Sequence, residues 1–318
     1  MQLAPIILFA YNRPWHLQQT LQSLSENVLA DESELFIYCD GPKENASEEV
    51  LKNIAEARAV ARQKQWCKSV TVIEAEKNKG LAKSIIAGVS ETVNKYSRVI
   101  VIEDDVLLSK FFLQFMNDAL DRYKDNDKVM SIGSWNYFCP PELLSDNFFY
   151  RFPDSIAWAT FDRAWKLFEA DEKLALQKLN EKNAIERFNA NLSTPYFSSM
   201  LQQQIEGKIN SWAIRWTATA IIHDKLSFFP KQTLSKHIGF GSSATHETNE
   251  LDYNSHLVLA EKRIPVHAIP TEESLVAIGE WRKFIIQNFI PKTTAKGKLR
   301  SWIGKVTPAF VKNLLRKK

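Results

Sequence analysis

Cysteine is scarce in this chain and poorly placed for cross-linking. The three residues, Cys39, Cys67 and Cys139, cannot pair completely, and none sits in a CxxC. That rules against a disulfide framework or a zinc knuckle and favours a reducing compartment. Long apolar runs are missing too. The opening MQLAPIILFAYNRP has no basic residues ahead of its apolar stretch. The stretch is also too short for a signal peptide or a membrane span. No later segment reaches spanning length without charge, and there is neither a low-complexity run nor an internal repeat.

What is present suits a folded α/β chain. Its 318 residues are 45% hydrophobic, enough for a substantial core and too many for a disordered chain. The net charge of +4 hides an asymmetry. From Arg282 to Lys318 there are eleven Lys or Arg and no Asp or Glu, so the rest of the chain is net acidic. Body and tail should meet different partners.

Periodicity predicts strands alternating with helices. Pro5–Tyr11 is a continuous apolar run, as in a strand buried on both faces. Asn12 is placed to cap the next helix, with Pro14 in its first turn and Leu17, Leu21, Leu24 and Val28 at helical spacing. Further strands are expected at Leu35–Cys39, Val70–Ala75, Arg98–Ile102 and Val129–Gly133. Helices are expected at about 47–65, after Gly80, and from Phe112 to Tyr123. This order implies right-handed crossovers and a mostly parallel sheet. Such sheets bind ligands at the carboxyl ends of their strands. Four polar clusters fall there: Asn12-Arg13, Asp40-Gly41, Lys77–Gly80 and Glu103-Asp104-Asp105. After residue 140 aromatics become dense, and helical spacing runs through Trp158–Phe168.

The acidic triplet is the sharpest feature. Three adjacent carboxylates repel one another, and their desolvation is costly. A hard divalent cation, Mg²⁺ or Mn²⁺, would offset both and bridge phosphate oxygens. The competing reading is a charge cluster at the start of the following helix; the strand-end position favours the metal. Asp40 could accept hydrogen bonds from a base or ribose, or be a plain Asp-Gly turn. Arg13 could face a diphosphate or be a solvated cation. Lys79 and Lys83 flank a glycine-led helix start, an anion site or an ordinary surface. His246, in the small-residue loop GFGSSATH, could complete a metal site or be a surface histidine. His16, His223, His237, His256 and His267 show no partner pattern and are read as structural. Trp158 and the segment Trp212-Ala213-Ile214-Arg215-Trp216 could clamp a sugar, although i, i+4 core packing is the commoner use of such a pair.

Taken in order, these motifs resemble a known family. RVIVI followed by Glu103-Asp104-Asp105 is similar to the DXD-type motif of GT-A fold glycosyltransferases. More particularly, FAYNRP, IYCDGP, VIVIEDDVLLSKFFLQFMNDAL, SIGSWN, FYRFPDSIAWATFDRAW, SWAIRW and HIGFGSSATH resemble the N-acetylglucosaminyltransferase I-like group and its bacterial relatives, over roughly residues 4–250. The resemblance implies a GT-A domain at 1–280, with a nucleotide-sugar half at 1–135 and an acceptor-side half at 136–280. A basic amphipathic tail would follow at 281–318. It implies a nucleotide-sugar donor, usually UDP-linked, with Mn²⁺. Asp105 and His246 would be metal ligands, and Glu103 and Asp104 would support the ribose and metal shell. Arg13 and Asp40 would contact the nucleotide. The local reading adds Lys79 and Lys83 to the nucleotide-sugar contacts and makes Trp158, Trp212, Arg215 and Trp216 the acceptor or sugar contacts.

One departure bears on the base. Where the eukaryotic enzyme carries acidic residues between the two tryptophans, this chain has Ala213, Ile214 and Arg215. Asp154 is then the candidate catalytic base, ahead of Asp162 and Glu206. Lacking the N-terminal anchor of eukaryotic members, the chain is expected to be bacterial and cytoplasmic. Its tail would rest on the anionic inner face of the cell membrane, near a glycan or lipid-linked acceptor. Pro308 limits any single tail helix, and no nucleic-acid module accompanies the basic residues. The rival readings are a non-catalytic sugar-binding module of the same fold and a sugar-phosphate nucleotidyltransferase.

Overall fold

A computed structural model describes residues 2–239 and 257–290. The chain opens with β1 (Ile6–Ala10), every residue of it buried, and enters α1 (Pro14–Ser25). Pro14 starts that helix, as expected, because its fixed φ and missing N–H suit the first turn. The N-cap residue is Arg13 rather than Asn12 and makes no side-chain cap. Next come β2 (Glu34–Cys39), α2 (Glu48–Arg62), β3 (Ser69–Glu74) and α3 (Leu81–Tyr96). Ser47 caps α2 through its hydroxyl, which accepts from the Val50 N–H. The chain continues through β4 (Arg98–Glu103), β5 (Val106–Leu108), α4 (Phe112–Tyr123) and β6 (Val129–Gly133).

The second half adds β7 (Asn147–Tyr150), β8 (Ala157–Phe161), α5 (Asp162–Trp165) and α6 (Glu172–Glu181). It then runs through α7 (Ile185–Phe188), α8 (Tyr196–Ile205), α9 (Trp212–Ile222), β9 (Leu226–Pro230), β10 (Ser235–His237) and α10 (Leu275–Asn288). Eight strands form one sheet in the order β3-β2-β1-β4-β8-β6-β9-β7. β1 pairs in parallel with both β2 and β4, β2 with β3, and β6 with β9. β8 runs antiparallel between β4 and β6, and β7 closes the far edge antiparallel to β9. β5 and β10 make a separate two-stranded ribbon. This is the mostly parallel, helix-flanked sheet expected of an α/β chain.

Two elements depart from the periodicity. The helical spacing read over Trp158–Phe168 covers a central strand, β8, and only one helical turn beyond it. A strand buried on both faces reads as an unbroken apolar run, which periodicity alone cannot separate from a buried helix. In addition, α10 crosses position 281, where the tail was expected to start. Trp281 and Ile285 are buried with Phe138, Phe148, Tyr150 and Phe152 in an aromatic core, so this stretch belongs to the body. The rest of the expected tail, from residue 291, lies outside the described residues. Among the described residues no helix is long and apolar enough to cross a membrane. All three cysteines are buried and unpaired.

Candidate functional site

The loops leaving β1, β2, β3 and β4 border one cleft of about 650 Å³. Arg13, Asp40, Lys79, Glu103, Asp104 and Asp105 all line it. The carboxyl ends of parallel strands meet along one edge of a sheet, so polar residues placed there by sequence gather in space.

The acidic triplet forms a turn between two strands, not the head of a helix. Glu103 ends β4, the chain bends through Asp104 and Asp105, and β5 begins at Val106. Thr20 on α1 braces the bend: its hydroxyl donates to the Asp104 carbonyl at 2.9 Å and accepts from the Val106 N–H at 3.0 Å. The Tyr11 N–H donates to Asp104 Oδ2 at 3.2 Å. Asp105 Oδ2 accepts from Arg13 Nη1 at 2.5 Å and lies 3.2 Å from His237 Nε2. Pairing of β10 with β5 sets His237 opposite Val106, and the Ile238 N–H donates to the Asp105 carbonyl at 2.8 Å. His237 was read as structural, because no spacing in the sequence ties it to the triplet 132 positions earlier. Gly239 has to be small: a Cβ there would land on Asp105 Oδ2 and come within 2.8 Å of Arg13 Nη1.

Burial, followed by the charge of Asp105, pushes the Asp104 carboxyl up to about 7. Burial, then Asp105 and Asp104, also raises Glu103 well above the usual range. Burial works the same way on Asp105, but the hydrogen bond and charge of His237, with Arg13 and His16, outweigh it and hold that carboxyl low. Three carboxylates in one turn thus divide into one that stays ionised and two that resist ionisation. Asp105 Oδ1 is buried and has no hydrogen-bond partner among the described residues. An ionised, hard oxygen with a free lone pair, beside two further carboxylates, fits a divalent cation of the Mg²⁺ or Mn²⁺ type. Among the described residues no three His, Cys, Asp or Glu side chains could hold a metal alone, so such an ion would need ligands from outside that set. His246 lies outside the described residues.

Asp40 is committed to the protein. Its Oδ1 accepts from the Gly41 and Lys79 N–H groups, both at 2.8 Å. Its Oδ2 accepts from the Asn78 amide at 3.0 Å and the Gly80 N–H at 2.9 Å. All four lone-pair directions of the carboxylate are used. Asp40 therefore ties the end of β2 to the loop before α3, rather than offering a free acceptor. Gly41 permits the tie, since a Cβ there would sit 2.6 Å from the Lys77 backbone. Lys79 is exposed at the cleft rim, whereas Lys83 is exposed on α3 and does not line the cleft.

The acceptor-side expectations are corrected. Trp158, Trp212 and Trp216 are buried in the core, with Trp158 ring centroids 5.0 Å from Trp212 and 6.0 Å from Trp216. Arg215 is buried as well; its guanidinium donates to the Ser211 and Ala170 carbonyls. On α9 the i, i+4 tryptophan pair packs inward, and no sugar can reach it. Asp154 is likewise saturated. Oδ1 accepts from the Ser155 and Ile156 N–H groups, and Oδ2 from those of Ser134 and Trp135, all between 2.7 and 3.1 Å. That arrangement anchors two loops and leaves no lone pair for a substrate proton. Asp162 and Glu206 pair with Lys166 and Lys208, and neither lines the cleft. Residues missed by the sequence reading include Trp135, Tyr38 and Glu91, which do line it.

A family model described as Glycosyl transferase family 2 matches residues 6–166. No curated protein matches the chain. Among solved structures, TarS from S. aureus is similar at 17% identity and a TM-score of 0.28, over 38% of this chain and 20% of its own. The mannosyltransferase PcManGT from Pyrobaculum calidifontis, in complex with GDP-Man and Mn²⁺, shows 10% identity and a TM-score of 0.36, over 69% and 74%. Glucosyl-3-phosphoglycerate synthase from Mycobacterium tuberculosis, with Mn²⁺ and UDP, shows 14% and 0.32, over 52% and 58%. The chain thus spans less than two thirds of the length of the first and third.

Proposed function

From the premise that the chain belongs to glycosyl transferase family 2 and is a glycosyltransferase, we propose that it moves a hexosyl or N-acetylhexosaminyl group from a UDP-linked sugar to an acceptor hydroxyl. The acceptor is a glycan or lipid-linked glycan of cell-envelope polysaccharide synthesis, and the anomeric configuration inverts. Within the family the motif order favours the N-acetylglucosaminyltransferase I-like group. The observation that carries the reading is the Asp104-Asp105 turn, held against Arg13 and His237 at the edge of a cleft large enough for a nucleotide sugar.

Asp105, with Oδ1 open, would hold a Mn²⁺ or Mg²⁺ ion, supported by Glu103 and Asp104 and, by the family resemblance, His246. Such an ion supplies charge neutralisation for a departing diphosphate. Arg13 fixes Asp105 and supplies a cation beside the diphosphate position. Asp40 holds the Asn78–Gly80 backbone in place as the wall of the nucleotide pocket, with Lys79 at its rim. In the reaction the acceptor oxygen gives its proton to solvent water at the open cleft and bonds the anomeric carbon. The bond from that carbon to the diphosphate oxygen breaks, and its electron pair leaves with UDP. Contact with an anionic membrane rests on the composition of the basic segment beyond residue 290.

Calorimetry of UDP binding with and without Mn²⁺ tests the reading. Wild-type protein should bind UDP in a manganese-dependent way, and Asp105→Asn should weaken that binding about 10–100-fold. Unchanged affinity and an unchanged manganese requirement in the variant would remove the reading. Slow release of UDP from UDP-sugars separates an enzyme from a binding module, since only an enzyme cleaves the donor.

A further inference from the structure

The tryptophans expected to meet the acceptor are core residues, yet a different aromatic pocket stands beside the cleft. It has a volume of about 170 Å³, on the order of the space that takes one six-membered ring. Trp135 lines both the pocket and the cleft, so their occupants would share a wall. We propose that this pocket is the acceptor subsite and that it holds one pyranose ring of a glycan. The proposal rests on the glycosyltransferase reading above.

Three observations carry it. The first is the surface left open. Trp135, Tyr137, Phe197 and Met200 line the pocket and are only half-buried, so each keeps apolar area for a ligand. Beneath them Trp281 is stacked on Phe152, ring centroids 4.5 Å apart at 14°, and on Phe197 at 5.5 Å and 10°. Fused into one aromatic cluster, these rings make a stiff floor that suits a flat ligand face.

The second is an unanswered donor. Tyr150 lines the pocket, its side chain is buried, and its hydroxyl has no hydrogen-bond partner among the described residues. Buried hydroxyls are ordinarily satisfied, so a ligand oxygen is the natural partner for this one. The third is the mixture of chemistries. Ser155 and Thr217 also line the pocket, adding hydroxyls among aromatic walls. A pyranose has apolar C–H faces and a polar hydroxyl rim, and it matches both. An acyl chain would match the walls and leave the hydroxyls unanswered.

The test uses the full chain with Mn²⁺ and saturating UDP. Saturation-transfer NMR is recorded with the methyl glycosides of glucose, galactose, mannose and N-acetylglucosamine, and with octyl glucoside. At least one glycoside should show transfer from aromatic protons to its ring. Ala213→Phe, which fills the pocket from α9, should abolish that signal. Tyr150→Phe removes only the unpartnered hydroxyl, so it should fold with an undiminished melting temperature. It should still weaken glycoside binding about tenfold, as the loss of one ligand hydrogen bond would, and raise the acceptor KM with little change in kcat. A glycoside affinity untouched by both substitutions overturns the subsite. So does transfer confined to the octyl chain, which would mark a groove for a lipid tail. UDP-sugar cleavage with no glycoside signal overturns the subsite and leaves the transferase reading intact. Glycoside binding weakened by Tyr150→Phe, in a protein that cleaves no nucleotide sugar, supports the ring site and removes that reading instead.

Discussion

The cleft at the ends of β1 to β4 and the aromatic half beyond β6 are built on one sheet but use polar groups in opposite ways. At the cleft, Asp105 keeps one oxygen free of any partner among the described residues while Arg13 and His237 hold the other. In the aromatic half, Asp154 spends both oxygens on four backbone N–H groups. Both are buried aspartates; the acidic triplet marks Asp105 in the sequence, but nothing in the sequence shows that Asp154 is saturated. The difference lies in the backbone around them. Where no backbone amide reaches a carboxylate oxygen it stays available for chemistry, as at Asp105 Oδ1, and where two loops aim four amides at it, as at Asp154, it is consumed. Asp40, in the cleft itself, follows the second pattern, so proximity to the site does not decide function either.

The sharpest way to strengthen that contrast is at Gly239. A methyl group there would collide with the Asp105 carboxylate and crowd Arg13. The relief that disturbs the fold least is movement of the Asp105 side chain out of its contacts, because the backbone leading to Gly239 is held by the pairing of β10, two residues earlier, with β5. Gly239→Ala should therefore fold with a near-normal melting temperature and lose about 100-fold in donor turnover, the scale of a misplacement near 1 Å. Wild-type turnover in this variant would show that Asp105 need not stay where the Arg13 and His237 contacts put it.

Asp154→Ala should fail in the other currency. Removing the acceptor from four backbone amides, two of them buried and two part-buried, leaves them unsatisfied, and the cost should be about 3 kcal/mol of stability, read by urea unfolding. Acceptor turnover per folded molecule should fall much less than for Gly239→Ala. Full stability with turnover abolished would reverse the assignment and restore Asp154 as the base.

The donor half was largely legible. Its strands are continuous apolar runs, its turns carry Gly or Pro, and its charged residues sit where parallel strands end, so pattern alone places Arg13, Asp40, Lys79 and the acidic triplet on one cleft. The acceptor half was not. Trp212 and Trp216 show the same residue type and spacing whether they face a sugar or a core, and only the packing of α9 against Trp158 of β8 decides. His237 was hidden for a related reason: its partner is set by the pairing of β10 with β5, a long-range register with no local signature. Trp135 and Tyr150, which line the smaller pocket, stand among so many aromatics that composition cannot single them out.

The smallest expected effect lies at the margin between the halves, on α3. Lys83 was grouped with Lys79 because both flank a glycine-led helix start. Yet Lys79 has its backbone N–H on Asp40 and borders the cleft, and Lys83 is exposed on the helix and does not. An ammonium in open solvent is screened within about 8–10 Å at ordinary ionic strength, so Lys83→Ala should change UDP affinity by less than about twofold, an exposed charge contributing under roughly 1 kcal/mol. Calorimetry at low and physiological salt measures this directly. A loss near tenfold that faded with salt would mean that the bound diphosphate reaches further along α3 than the cleft does. The boundary between a binding wall and a solvated surface would then have to be moved by one helical turn.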